Sequence, residues 1–231
     1  MIRAVFFDAD GTLYRINKKR AYDELFKFLE DRIKLDRKLI EDKWNELKNE
    51  IMNSQARWDP EKRKREYLLR KVLEYFNVEN IELIIKQSLE LFWYIVLLEM
   101  EAMPYAKEVL EDLSNRYILV VTSEEFENIL KKKLDAVLGD WKKYFKFLIT
   151  PDETKIMKPS KRFYEFSMKK LDLKSNEVVV IGNSWEKDLK PAKEIGIKTI
   201  LLNIRKEGEP DFQIKSLKEL KDILKQIDIQ Y

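Results

Sequence analysis

Apolar residues along the chain fall into two textures. Residues 2–7, 117–121, 145–149, 178–181 and 199–202 are short β-branched or aromatic runs, each followed by polar or turn residues. This is the signature of strands buried on both faces. Between them lie helical spacings, for instance over 106–113, 161–171 and 217–227. Strand followed by helix, repeated, predicts an α/β fold with a parallel sheet covered by helices.

One connection breaks that rhythm. From Tyr14 to about Glu101 no strand-like run stands out, and apolar residues recur three and four apart within charged segments, as at Leu25, Phe28 and Leu29 or Leu68, Leu69, Val72, Leu73 and Phe76. A structureless connection of this length does not suit a compact domain, so the stretch reads as an inserted all-helical module of about four helices. Pro60 and Asn80 serve as helix-start punctuation within it. The expected division is a sheet-bearing core from residues 1–14 and 101–231 and a helical insertion from 15–100.

Composition narrows the chemistry. The 231 residues, 45% of them hydrophobic, can build a sizeable core. Cysteine and histidine are both absent, which excludes disulfide frameworks, thiolate nucleophiles, Cys/His zinc sites and Ser-His-Asp triads. Chemistry must come from Asp, Glu, Lys, Ser or Thr. The net charge of +3 is near balance, and the basic runs Lys131-Lys132-Lys133 and Lys62-Arg63-Lys64-Arg65 have acids close by. They read as solvated helix faces, so no nucleic-acid partner is expected. The longest apolar run, Leu91-Phe92-Trp93-Tyr94-Ile95-Val96-Leu97-Leu98, falls far short of the roughly 20 residues that span a bilayer. With no export signal in the opening residues, no membrane partner and a cytoplasmic location are expected. The oligomeric state leaves no trace in the sequence.

The first run leads straight into Asp8-Ala9-Asp10-Gly11-Thr12. In open parallel sheets the reactive groups gather beyond the carboxyl ends of the strands. Two acids placed there repel one another unless a cation or phosphate chemistry requires them; an Asx turn with Gly11 in a left-handed conformation is the alternative. Other strand ends carry polar residues too: Thr122-Ser123 after the second run, Lys158 in KIMKPSKRFYEF, and Asp188 in GNSWEKD after the fourth.

That ordered set, DADGTLY, VVTS, KPSKRFYEF and GNSWEKDLKPAKEIG, resembles the four motifs of the haloacid dehalogenase-like hydrolase superfamily over nearly the whole chain. The resemblance implies a Rossmann-like, doubly wound core with a helical cap inserted between the first and second motifs. It also implies a magnesium-dependent phosphatase acting on a small phosphorylated metabolite. Asp8 would be the nucleophile, forming an aspartyl-phosphate, and Asp10 the general acid and then base. Lys158 would neutralise phosphoryl charge, while Thr122, with the adjacent backbone N–H groups and Ser123, would hold phosphoryl oxygens. The metal would be held by Asp8, Asp10 through its backbone carbonyl, Asn183 and Asp188. All donors on offer are oxygens, as magnesium prefers.

The last motif commonly begins Gly-Asp, whereas this chain has Gly182-Asn183. Two compatible roles are open for Asn183: an oxygen ligand, or a helix N-cap with Glu186 three residues on. A phosphomutase would keep every residue named here, a haloacid dehalogenase would need neither metal nor second acid, and a non-catalytic binding module is a third alternative. For substrate specificity the candidates are Tyr14 and Arg15 after the first motif, and Arg57 and Trp58 in the polar, proline-ended loop Asn53-Ser54-Gln55-Ala56-Arg57-Trp58-Asp59-Pro60. A packed Trp58 beside a solvated Arg57 is equally open.

Overall fold

The computed structural model of the protein describes residues 1–229. Its strands are β1 (Ala4–Asp8), β2 (Tyr14–Ile16), β3 (Met100–Ala102), β4 (Ile118–Thr122), β5 (Phe145–Ile149), β6 (Val178–Gly182), β7 (Lys198–Leu202) and β8 (Phe212–Ile214). Six of them form one sheet in the order β5-β4-β1-β6-β7-β8, with every neighbouring pair parallel. The α/β, doubly wound class expected from the alternating pattern is the one observed.

The central strand explains the continuous apolar runs. Successive side chains of a strand point to opposite faces. Val5 and Phe7 accordingly enter one core with Leu119, Val121, Val179 and Ile181, whereas Ala4 and Phe6 enter the other with Val120, Val178 and Val180. A strand covered on both sides has to be apolar at every position. The helices Ala106–Ser114, Glu127–Leu138 and Leu220–Ile229 cover the first face through Leu110, Leu113, Leu130, Leu134 and Leu224. The helix Lys161–Leu171 covers the second through Phe163 and Tyr164.

Three short strands depart from the sequence reading. β8 continues the sheet beyond β7, and β2 and β3 form an antiparallel ribbon pairing Tyr14 with Ala102, Arg15 with Glu101 and Ile16 with Met100. Each spans 3 residues, too few to leave a periodic signal.

The chain divides into two compact units, residues 1–16 with 100–231, and residues 17–99. The second is built on the helices Lys19–Ile33, Arg37–Met52, Arg65–Tyr75 and Ile81–Leu98. Leu25, Leu29, Leu69, Val72, Phe92 and Val96, three or four apart on their helices, are buried in it. Asp36 caps the second of these helices, its side chain accepting from the N–H groups of Lys38 and Leu39. Pro60 opens the short helix Pro60–Arg63, and Asn80 precedes the last long helix in a left-handed conformation. Among the described residues no helix is long and apolar enough to cross a membrane.

Candidate active site

β1 ends on Asp8, whose backbone lies in register with Thr122 at the end of β4. Beyond Asp8 the chain turns sharply: Gly11 donates to the Tyr14 carbonyl at 2.7 Å, and Leu13 donates to the Ala9 carbonyl at 2.9 Å. Gly11 is obligatory there for two reasons. Its φ of 88° lies in the region that side chains avoid, and a Cβ would fall inside the Asn183 amide group. The motif glycine therefore brings the first and last motifs into contact.

Lys158 is the centre of the cluster. Its Nζ donates to Asp8 Oδ1 at 3.0 Å, to Asp188 Oδ1 at 2.9 Å and to the Thr122 carbonyl at 2.9 Å, and the residue is only 1% exposed. Asp188 reaches this point because it folds back under Gly182, where any Cβ would stand 2.6 Å from its own. The Ser184 N–H donates to Asp188 Oδ2 at 3.3 Å, and Thr12 Oγ1 donates to Asp8 Oδ2 at 3.3 Å. Four residues far apart in sequence, Asp8, Thr122, Lys158 and Asp188, thus meet at the carboxyl edge of the sheet.

Two buried carboxylates share one ammonium, so the cluster carries an excess of negative charge. Burial, and then the neighbouring Asp188, push the Asp8 carboxyl up to about 7 against the pull of Lys158. Burial also opposes the charged form of Lys158, yet Asp188 and Asp8 outweigh it and hold the ammonium well above its ordinary range. A hard dication suits that deficit. Among the described residues no three acidic or imidazole groups gather to hold a metal ion. A metal would therefore need neutral oxygens beside the two carboxylates, and the Asp10 carbonyl and the Asn183 side chain supply that donor chemistry.

Some expectations change. The N-cap of the turn over Trp185–Leu189 is Ser184, whose Oγ accepts from the Lys187 N–H, so the capping role considered for Asn183 is overturned. The Ser123 N–H donates to the Ile149 carbonyl at 3.0 Å and completes the sheet, so it is not available to an anion. Ser123 Oγ accepts from the Glu125 N–H. Thr122 Oγ1 donates to the Phe7 carbonyl at 3.3 Å. Tyr14 is buried, and burial followed by the Asp10 carboxylate raises its phenol. Arg15, the next residue of β2, faces the opposite side, exposed, with its Nε 3.6 Å from Glu101. In the helical unit, the Arg57 guanidinium lies 4.5 Å from the centre of the Trp58 ring.

Lys133 and its partner Glu125 were not among the candidates expected from the sequence. Lys133, taken with Lys131 and Lys132 as part of a solvated face, is fully buried, whereas its two neighbours are exposed. Its Nζ lies 3.2 and 3.3 Å from the two Asp10 carboxylate oxygens and 2.7 Å from Glu125 Oε2. The signal was present in the spacing: Lys133 shares the helix face of Leu130, Leu134 and Val137.

Known proteins are similar to this chain along nearly all of its length. The chain is 24% identical to a glyceraldehyde 3-phosphate phosphatase of Methanocaldococcus jannaschii, over 98% of this chain and 99% of the relative. Among solved structures, a 2-haloacid dehalogenase of Pseudomonas syringae superposes with a TM-score of 0.72 at 19% identity, covering 98% of this chain and 99% of its own. A magnesium-bound hydrolase, YfnB of Bacillus subtilis, superposes with a TM-score of 0.68 at 16% identity, covering 97% and 99%. At such identities the two structures speak for the fold. The sequence profile of the haloacid dehalogenase-like hydrolases matches residues 2–196, a span that runs from β1 past Asp188, and the chain belongs to that family.

Proposed function

We propose that the protein is a magnesium-dependent phosphatase that hydrolyses a small phosphate monoester by way of an aspartyl-phosphate on Asp8. The observation that carries the reading is the buried Lys158 ammonium bridging Asp8 and Asp188. A phosphate ester repels a carboxylate nucleophile, and a fixed cation beside Asp8 offsets that repulsion as charge builds on the phosphoryl oxygens. Similarity to a glyceraldehyde 3-phosphate phosphatase supports a phosphorylated metabolite as substrate.

In this reading Asp8 attacks phosphorus, and Asp10 gives its proton to the leaving oxygen. Asp10 then takes a proton from the water that hydrolyses the acyl phosphate, so that one carboxylate serves both steps. Thr122 turns its hydroxyl from the Phe7 carbonyl to a phosphoryl oxygen, and Lys158 follows the charge. Magnesium, held by Asp8, Asp188, the Asp10 carbonyl and the Asn183 side chain, would add positive charge against the phosphoryl oxygens. The helical unit is assigned the part of a cap, with Arg57 and Trp58 choosing the substrate. Action in the cytoplasm belongs to the same proposal.

A phosphate-release screen over sugar phosphates, nucleotides, phosphoglycolate and an aryl phosphate, with and without magnesium, tests this. Asp8→Asn should abolish turnover, because an amide is no nucleophile. Turnover that survives Asp8→Asn, or chloride release from a 2-haloacid in place of phosphate release, would overturn the reading.

A further inference from the structure

Lys133 is a costly residue for a helix to bury. Its side chain is 0% exposed, although a lysine normally keeps its ammonium in water. It stands on the Glu127–Leu138 helix between Leu130 and Leu134, directed into the sheet-bearing unit. Burying it is tolerable only because its charge is met. Glu125, in the loop just before the helix, accepts at 2.7 Å, and both oxygens of Asp10 lie at 3.2 and 3.3 Å.

The three exposures differ in an informative way. The Asp10 side chain is 43% exposed, that of Glu125 is 19%, and Lys133 is sealed. The buried ammonium is thus held by Glu125 and in turn holds a carboxylate that is itself partly exposed. The Tyr14 ring also lies beside the ammonium, its centre 5.8 Å away. A free aspartate samples several side-chain rotamers. One held at both oxygens by a buried cation does not.

We propose that Lys133, anchored by Glu125, is a positioning residue that holds the Asp10 carboxylate toward the leaving oxygen. The proposal rests on Asp10 being the general acid and base. Proton transfer requires one Asp10 oxygen to carry the proton and lie within hydrogen-bond reach of the leaving oxygen while the other stays on the ammonium, and a displacement of about 1 Å can cost about 10²-fold in rate. Its effect should therefore grow with the need for the proton. An activated leaving group departs almost unaided, while a poor one does not.

Phenyl phosphate and 4-nitrophenyl phosphate are close in size and differ widely in leaving-group basicity. With the full chain in magnesium, kcat/KM for the two reports the step in which the ester oxygen departs. Asp10→Asn is the reference and should lose far more on phenyl phosphate than on the nitrophenyl ester. Lys133→Met should show the same split, losing on the order of 10²-fold on phenyl phosphate and under about 10-fold on the nitrophenyl ester. Lys133→Arg should restore most of the loss. The magnesium concentration for half-maximal activity should stay within about twofold of wild type, since distortion of the whole loop would raise it.

Equal losses on the two esters for Lys133→Met, beside a clear split for Asp10→Asn, would overturn the positioning role and leave the phosphatase reading intact. No split for Asp10→Asn would overturn the acid–base role itself, and the Lys133 inference with it. Thermal melts accompany each variant. If Lys133→Met does not fold, Glu125→Gln carries the same test: the loosened ammonium should produce a smaller split in the same direction, and its absence would overturn the proposal.

Discussion

Replacing Lys158 by Met removes the one ammonium between Asp8 and Asp188 and leaves a side chain of similar length in its place. Lys158 is 1% exposed, and the side chains of its two partners are 13% and 4% exposed, so water cannot take over its role. Breaking a buried ion pair from one side costs about 3–5 kcal/mol, because a charge is left uncompensated. In a domain of this size each kcal/mol lowers the melting temperature by about 2–4 °C. Proton uptake between pH 7 and 9 offsets part of this, so the metal-free variant should melt about 5–10 °C below wild type at pH 9.

Proton uptake limits the loss. In wild type, burial and Asp188 already hold Asp8 at about 7, and without Lys158 its pKa rises further. Above the variant's pKa both proteins carry the ionised carboxylate and the full difference is seen. Below about pH 7 both hold the proton. Between the two values only the variant is protonated, and the difference shrinks by about 1.4 kcal/mol for each pH unit of fall. Calorimetric scans in EDTA at pH 6 and pH 9 read both quantities. A melting point within about 2 °C of wild type at pH 9, or a larger drop at pH 6 than at pH 9, would refute the account of the cluster.

Asn183→Asp adds a carboxylate beside the proposed metal site and should lower the half-saturating magnesium concentration by an amount worth about 1–3 kcal/mol, with little change in turnover at saturating metal. Asn183→Ala should weaken magnesium binding without the loss expected of a helix cap, since Ser184 is the cap; magnesium titrations with parallel melts check both. Gly11→Ala should destabilise the metal-free protein by about 1–3 kcal/mol and reduce activity, because φ is 88° and the new Cβ would displace the Asn183 amide; urea unfolding beside a rate assay measures this. Arg57→Ala should raise KM for the physiological ester more than for a small aryl ester, and an equal rise for both would remove Arg57 from substrate recognition.

The alternation of strand and helix was legible because a strand buried on both faces has to be apolar at consecutive positions, and Val178 to Ile181 or Ala4 to Phe7 admit no other environment. Asp8 was legible for the complementary reason, since it ends an apolar run where a core would reject a charge, whereas Asp188, among Glu186, Lys187 and Lys190, stood out only as part of the ordered motif set. Local pattern carries this much because burial of a face is written into neighbouring residues.

Partnership is not. That Lys158 lies between Asp8 and Asp188 follows from the strand order β5-β4-β1-β6-β7-β8, which brings together residues 150 and 30 positions apart. Lys133 looked like one of three solvated lysines, and only the packing of its helix on the sheet turned that one inward, with its charge met by Asp10 and Glu125. Ser184 took the cap from Asn183 because the chain must bend there to bring Asp188 under Gly182. A charge's energy depends on what stands within a few ångströms of it, and for these residues most of those neighbours are supplied by distant parts of the chain.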